Sequence, residues 1–384
     1  MKPITTKIEE GGRIEILDGF RAIAILAVVL YHFYYLNNEH FPNIKYKVID
    51  YSPYAYITAS GFYGVEFFFI ISGFVIFFSL EKSKSVYWFL YKRFIRLFPS
   101  ILLCAIITYF VVKLIDQEHE FIKFQSLTPL NFIPSFTFSS PALWNSMLMR
   151  NDIDYVSKCY WSLTVEVSFY IVASILFFSS KKNFFSNWIK LAVVVFVVNK
   201  LLAIIPISED NKVFPISLSV LQNLVSFFQP EFIIFFTLGI FYFAVYSKMP
   251  ISKIEKLIVV LFFLVQLYII QTNSCRLFFI LMNLLFIIML FKPVYLNFLK
   301  WKFITRVGVS SYILYLIHEN IGVITMDKLS LDIQSSFIVK YLPLVFILFF
   351  IVVSDFIYRV YEKPVHEFLK RLPIKSNISL KEVQ

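Results

Sequence analysis

Charge is what this 384-residue chain has least of: Asp, Glu, Lys and Arg make up 16% of it, against about 25% in soluble domains. Hydrophobic residues reach 59% and the mean hydropathy is +0.73, so a water-soluble enzyme is excluded. Glycine is scarce, at 9 residues beside 15 prolines, which rules out a collagen-like repeat and a Pro/Gly-rich disordered chain. Three cysteines are too few for a disulfide scaffold. GxxxxGK[ST], HExxH, GxSxG and CxxC patterns are all missing, and with them the signatures of phosphate loops, zinc proteases, nucleophile elbows and dithiol redox centres. The five histidines show no ligand-like spacing, so no metal site is expected. Neither an internal repeat nor a low-complexity tract interrupts the chain.

What fills the sequence instead is long apolar runs. Ten stretches bounded by charge predict membrane spans at 17–35, 62–80, 99–115, 161–178, 188–206, 224–247, 254–271, 277–291, 308–327 and 338–361. The expected class is an all-α polytopic membrane protein of about ten transmembrane helices. The first run is read as a retained span, because it carries Asp18 and Arg21 and lacks an Ala-x-Ala cleavage pattern. With both termini placed in the cytoplasm, and Arg359 counted with the tail, Lys and Arg divide 22 inside to 8 outside, with six more inside span limits. That bias follows the positive-inside rule and supports an even number of spans. The net charge of +11 is thereby assigned to cytoplasmic loops facing the lipid bilayer, and no nucleic-acid partner is expected. The loop 82–99 interleaves Lys92, Arg93 and Arg96 with apolar residues and reads as an amphipathic interfacial helix. The external loop 116–160, with Pro129, Pro134 and Pro141, is too long for a turn and is expected to cap the outer face. Cys159 and Cys275 both fall outside, where a disulfide between them is an option.

Few ionisable residues lie at membrane depth, where each costs about 2.5–3.5 kcal/mol and calls for a partner, a watery cavity or a function. Arg21 and His32 are eleven residues apart, which on a helix places them on one face about 16 Å apart. Arg21 marks the inner end of a shared cavity and His32 its outer end. Glu66 and Glu166 fall at the level of His32 by topology. Bland roles compete with these. His32 also suits a core histidine bonded to a backbone carbonyl, Glu66 an interfacial residue, Glu166 a structural salt bridge, and Arg21 a snorkelling side chain. For His318, Glu319 and Asp355 a structural pairing is as good a reading as a chemical one.

A cationic inner end and a His–carboxylate outer end suit a reaction with an anionic cytoplasmic donor and an external acceptor. Coenzyme A thioesters meet the first requirement, because guanidinium groups bind phosphate bidentately. A neutral His32 would take the proton of an attacking hydroxyl, with Glu166 orienting its ring; an acyl-histidine intermediate stays open. The rival class is a transporter or flippase with the same residues lining a path for protons or an anion. Inverted repeats would favour it, and the sequence has none.

Six segments resemble membrane-bound acyltransferase family 3, the bacterial O-acyltransferases of O-antigen and exopolysaccharide. Leu17-Asp18-Gly19-Phe20-Arg21-Ala22-Ile23-Ala24 with His32 is similar to that family's LDGLRAIA opening and its Arg/Lys-x10-His signature. Gly64-Val65-Glu66-Phe67-Phe68 through Ser72-Gly73-Phe74 resembles GVDLFFVLSGF, with Glu66 in place of Asp. Tyr91-Lys92-Arg93 through Arg96 to Pro99 resembles RxxRxxP, and Trp161-Ser162-Leu163-Thr164-Val165-Glu166 resembles WSLxxE. Ser311-Tyr312 with Tyr315-Leu316-Ile317-His318 is similar to SYxxYLxH, and Glu362-Lys363-Pro364 to the closing E-x-P. After His318 the family often has Pro two residues on, where this chain has Glu319-Asn320.

The resemblance implies transfer of an acyl group, acetyl first, from acyl-CoA to a hydroxyl of a surface carbohydrate or lipid-linked glycan, in a bacterial inner membrane. It implies catalytic roles for His32, Glu166 and Arg21, and donor contacts from Arg21, Arg93, Arg96 and Ser72. Acceptor contacts fall to Glu66, Trp161, Tyr315 and His318. No cofactor is expected to be held permanently; acetyl-CoA enters as a substrate. The expected organisation is a cytoplasmic segment 1–16, an integral membrane acyltransferase domain 17–364 and a cytoplasmic tail 365–384. No hydrolase-type domain of the kind some family members carry is expected within this sequence, and acceptor choice is expected to rest on the loops 36–61, 116–160 and 207–223, or on an accessory periplasmic protein.

Overall fold

The computed structural model describes residues 14–36, 54, 57–116, 127–204, 225–333 and 335–371, and among them there is helix and no strand. Helix α1 (Glu15–Leu30) runs into a π-helical turn, Tyr31–Leu36; α2 is Tyr63–Glu81 and α3 is Val86–Ile115. Two short helices follow, α4 (Phe132–Thr137) and α5 (Pro141–Leu148), then α6 (Trp161–Ser179) and α7 (Phe184–Ile204). The second half comprises α8 (Ile233–Tyr246), α9 (Lys253–Ile269), α10 (Asn273–Phe291) and α11 (Lys302–Val309). It ends in α12 (Ser311–Asp332), α13 (Ser336–Ile357) with a π turn Tyr358–Glu362, and α14 (Lys363–Arg371).

Helix occupies at least part of each of the ten predicted stretches. Seven of the described helices are long and apolar enough to cross a bilayer, or eight if α11 and α12, bent by 66° at Ser310, count as one. The protein is therefore a multi-pass all-α membrane protein. Helix α8, at 14 residues, extends about 21 Å, short of the roughly 30 Å of hydrocarbon. The chain before it turns at Gln229, which has φ 52°, and Pro230, so only the second part of the predicted span 224–247 continues as helix. The loops 36–61 and 207–223 lie largely or wholly outside the described residues, as do most of the segment 1–16 and the end of the tail.

The basic segment 82–99 differs from expectation. It is not a separate interfacial helix: from Val86 on it forms nearly the first half of α3, started by the Ser85 hydroxyl, which accepts from the Trp88 N–H at 3.3 Å. Pro99 sits inside α3 without ending it. Proline removes one backbone donor, and two tyrosines bind carbonyls around it: Tyr312 OH donates to Leu97 O at 3.1 Å and Tyr361 OH to Pro99 O at 3.2 Å. At 30 residues, α3 is about 45 Å long. Its arginines lie in the first half of this rod, and the chain that follows leaves from the far end.

The core is centred on α2, where Phe67, Ile70, Phe74 and Phe77 are almost fully buried. Between lipid-solvated helices, packing rather than water exclusion drives association, and small residues permit close approach. A Cβ at Gly239 of α8 would meet the backbone oxygen of Ile70, and one at Gly73 of α2 would meet that of Phe236. Next to this crossing the Phe169 and Phe236 rings stack at 3.9 Å. Helix α1 lies against α2, α11 and α12, so its polar residues face the interior of the bundle. Replacing Gly239 with Val pushes two backbones apart; overpacking of this kind costs about 1–3 kcal/mol. We expect a lower thermal-unfolding midpoint in detergent, and an unchanged midpoint would mean that the crossing is looser than described.

Candidate active site

A cavity of about 80 Å³ lies between α1, α2, α3, α6 and α12. It follows α2 from Val65 to Ile76, eleven residues or about 16 Å of helix. One end is cationic. Arg21 from α1 and Arg93 and Arg96 from α3 all line it. Arg21 Nη1 is held 3.2 Å from Asp18 Oδ1, one turn earlier on the same helix. The Arg93 guanidinium lies 5.3 Å from the ring centroids of both Phe89 and Tyr170, a cation–π arrangement that leaves its N–H edge for other partners. Arg96 lies within electrostatic reach of Glu166, Glu362, Tyr170 and Tyr312.

Glu166 belongs to this end. Its Oε1 accepts from Ser72 Oγ at 2.8 Å and from the Tyr170 hydroxyl. Tyr170 is four residues along α6 and so on the same face as Glu166. The expected pairing of Glu166 with His32 is thus corrected: Glu166 sits among the arginines, where three positive charges offset the cost of burying a carboxylate.

At the other end, Tyr315 lines the cavity, and its ring centroid lies 5.7 Å from that of His318. His318 is fully buried; its Nδ1 is 2.8 Å from Tyr315 O and its Nε2 is 3.2 Å from His32 Nδ1. His32 Nδ1 also lies 2.9 Å from Val28 O. His32 and Arg21 share α1, but they do not share a lining. The helix changes from α to π at Tyr31, just before His32, and the imidazole packs on His318 with ring centroids 4.9 Å apart. Tyr315, which touches both, connects the two compartments. The π turn is a feature often found at functional sites.

Glu66, on α2, is outside the cavity lining; its Oε2 is buried with no hydrogen-bond partner, near Tyr63 and Tyr315. Trp161 packs its ring on Phe69 and Phe232, at 6.2 and 5.2 Å, and is not part of the lining either. Cys159 and Cys275 are buried thiols with no disulfide between them.

A roof covers the histidine end. The segment 127–160 folds on itself: Asn145 exchanges hydrogen bonds of 2.9 and 3.0 Å with the Ile153 backbone, and Ser135 Oγ accepts from Val156 N at 3.0 Å. Helix α12 then clamps it. Glu319 Oε2 accepts from Ser157 Oγ and from Cys159 N, both at 2.8 Å, while Asn320 Nδ2 donates to Val156 O at 2.8 Å. Tyr315 OH and Tyr160 OH donate to Cys159 O and Leu316 O across the same joint, at 2.7 and 3.1 Å.

Sequence reasoning missed Tyr170, Tyr312, Asp18 as the partner of Arg21, and the clamping role of Glu319-Asn320. The i, i+3 and i, i+4 spacings were available for Asp18 and Tyr170; the clamp depends on residues about 160 positions apart, and no local pattern carries it. Replacing Glu319 with Ala leaves two donors without their acceptor, and a hydrogen bond to a charged group is worth about 1.5–3 kcal/mol. Cys159, buried in the wild type, should then react with an impermeant maleimide from the outer side far faster than before. Equal, slow labelling in both proteins would contradict the clamp.

Comparison with known proteins agrees with this architecture. The family model described as an acyltransferase domain matches residues 14–354. The peptidoglycan O-acetyltransferase OatA of Listeria monocytogenes is 24% identical over 167 residues, which cover 41% of this chain and 23% of OatA. SACOL0978 of Staphylococcus aureus, named as an O-acetyltransferase, is 26% identical over 183 residues, covering 43% of this chain and 25% of that protein. The chain thus spans about a quarter of each of these relatives. No solved structure gives a significant match. With the family model covering all the helices that build the cavity and the histidine pair, the chain belongs to acyltransferase family 3.

Proposed function

We propose that this protein transfers an acyl group, acetyl first, from cytoplasmic acyl-CoA to a hydroxyl of a surface carbohydrate, from within a bacterial inner membrane. The observation that carries the reading is that the arginine-lined cavity ends at a tyrosine which packs against an imidazole pair. Three arginines gather at one end of the cavity, and Tyr315 links its other end to an imidazole pair.

Guanidinium groups bind phosphate by paired hydrogen bonds, so Arg21, Arg93 and Arg96 suit the nucleotide end of coenzyme A. Ser72 and Glu166 lie beside them and orient this end. The pantetheine arm would run along α2, with its thioester near Tyr315. His32 would accept the proton of the acceptor hydroxyl as its oxygen bonds to the thioester carbonyl carbon. Collapse of the tetrahedral adduct breaks the carbon–sulfur bond, and the departing thiolate takes the proton from the imidazolium. One ester and one thiol result, and the enzyme is unchanged. Glu66 Oε2, buried and without a hydrogen-bond partner, suits a contact to the acceptor, and the roof over the histidine end suits the acceptor's approach. The O-acetyltransferase names of the two relatives support a hydroxyl acceptor.

His32→Ala and Arg21→Ala should each reduce acylation of cell-surface glycan by at least about 100-fold, the lower range for a lost general base, with membrane abundance unchanged. Mass analysis of the glycan from cells carrying each variant checks this. Wild-type acylation in either variant overturns the reading.

A further inference from the structure

The residue behind His32 is another histidine, and the hydrogen-bond directions around the pair determine where each proton sits. A carbonyl oxygen accepts and never donates. His318 Nδ1, 2.8 Å from Tyr315 O, therefore carries a proton, and the Nε2 of neutral His318 is an acceptor. His32 Nδ1 lies 2.9 Å from Val28 O and 3.2 Å from that same Nε2. Both of these neighbours are acceptors, so His32 Nδ1 carries a proton that it shares between them. The tautomer of a histidine is set by the bond its other nitrogen makes.

Resting on the reading of His32 as the general base, we infer that His318 is the positioning residue that holds His32 in the Nδ1–H tautomer and stabilises the imidazolium formed during acyl transfer. When Nε2 of His32 takes up the hydroxyl proton, its Nδ1–H becomes part of a cation, with Val28 O at 2.9 Å and His318 Nε2 at 3.2 Å as acceptors. A carboxylate usually fills this position in catalytic triads. Here the carboxylate nearest in sequence, Glu319, uses Oε2 to anchor Ser157 and Cys159, and Glu166 lies with the arginines. A neutral imidazole is a cheaper group to bury than a carboxylate at membrane depth, and His318 is completely buried. Its own orientation is fixed by Tyr315 O on the preceding turn, and its turn of α12 is fixed by the Glu319-Asn320 clamp.

The test compares three substitutions in purified full-length protein, with acetyl-CoA as donor and a soluble sugar or chitooligosaccharide as acceptor. His318→Gln keeps an amide oxygen within reach of the Nε2 position, whereas His318→Asn is too short to reach His32 and His318→Phe keeps the ring without an acceptor. We expect kcat to fall about 100-fold in the Asn and Phe variants and by less than about tenfold in the Gln variant, with KM for acetyl-CoA unchanged in all three. Equal loss in Gln, Asn and Phe, or a rise in KM in place of a fall in kcat, overturns the inference and makes His318 a packing or binding residue. Nitrogen-15 spectra of histidine-labelled protein, assigned with His32→Gln, give a readout that does not depend on turnover. His32 should be protonated on Nδ1 alone in the wild type, and protonation on Nε2 alone overturns the inference. His32→Ala measured alongside separates the two levels: an active His32→Ala removes the general base itself, whereas an inactive His32→Ala with a normal His318→Phe removes only the role of His318.

Discussion

A buried ion without a counter-charge is too costly to keep in hydrocarbon, and this constraint organises the centre of the protein. Arg21 is tied to Asp18, Glu166 accepts from Ser72 and Tyr170 amid three arginines, and Glu319 holds the roof. Each of these groups draws its partners from other helices or from the next turn of its own. The helices that supply them, α1, α2, α3, α6 and α12, are the ones that enclose the cavity. The outer shell, α9, α10 and α13, exposes mainly apolar side chains such as Leu257, Leu281 and Val352, as expected of surfaces that face lipid.

The constraint also divides the interior. Arginines gather beside the first half of α3, and the two imidazoles lie near the roof. The 30-residue length of α3 matters here. It holds Arg93 and Arg96 in its first half, while the chain that leads to the roof leaves from its far end. Tyr315 couples the two compartments physically: it lines the cavity, donates to Cys159 O in the roof and contacts His318.

Much of this was readable in the sequence, and what was readable depended on distance along the chain. The apolar runs gave helices at all ten positions, because a 20-residue apolar stretch has few alternatives in a bilayer. Arg21, Arg93, Arg96, Ser72, Glu166 and Tyr315 do converge on one cavity. Pairings between helices were not readable, since helix neighbours are set by packing. Glu166 was therefore given the partner that belongs to His318, and level-matching by rise alone could not distinguish the two ends of the interior. The joining of 82–99 to the third span was hidden by Pro99, which usually marks a helix boundary; Tyr312 and Tyr361, far along the chain, bind the neighbouring carbonyls.

The central claim is that donor and acceptor meet from opposite faces of one connected interior. Proteoliposomes with the protein in a single orientation test it most directly, with acetyl-CoA sealed on one side and an impermeant glycan acceptor on the other. The account predicts acetyl transfer only when acetyl-CoA occupies the side of the α3 N-terminus and the acceptor the side of the 127–160 roof. Transfer at the same rate with both substrates confined to the roof side would contradict it.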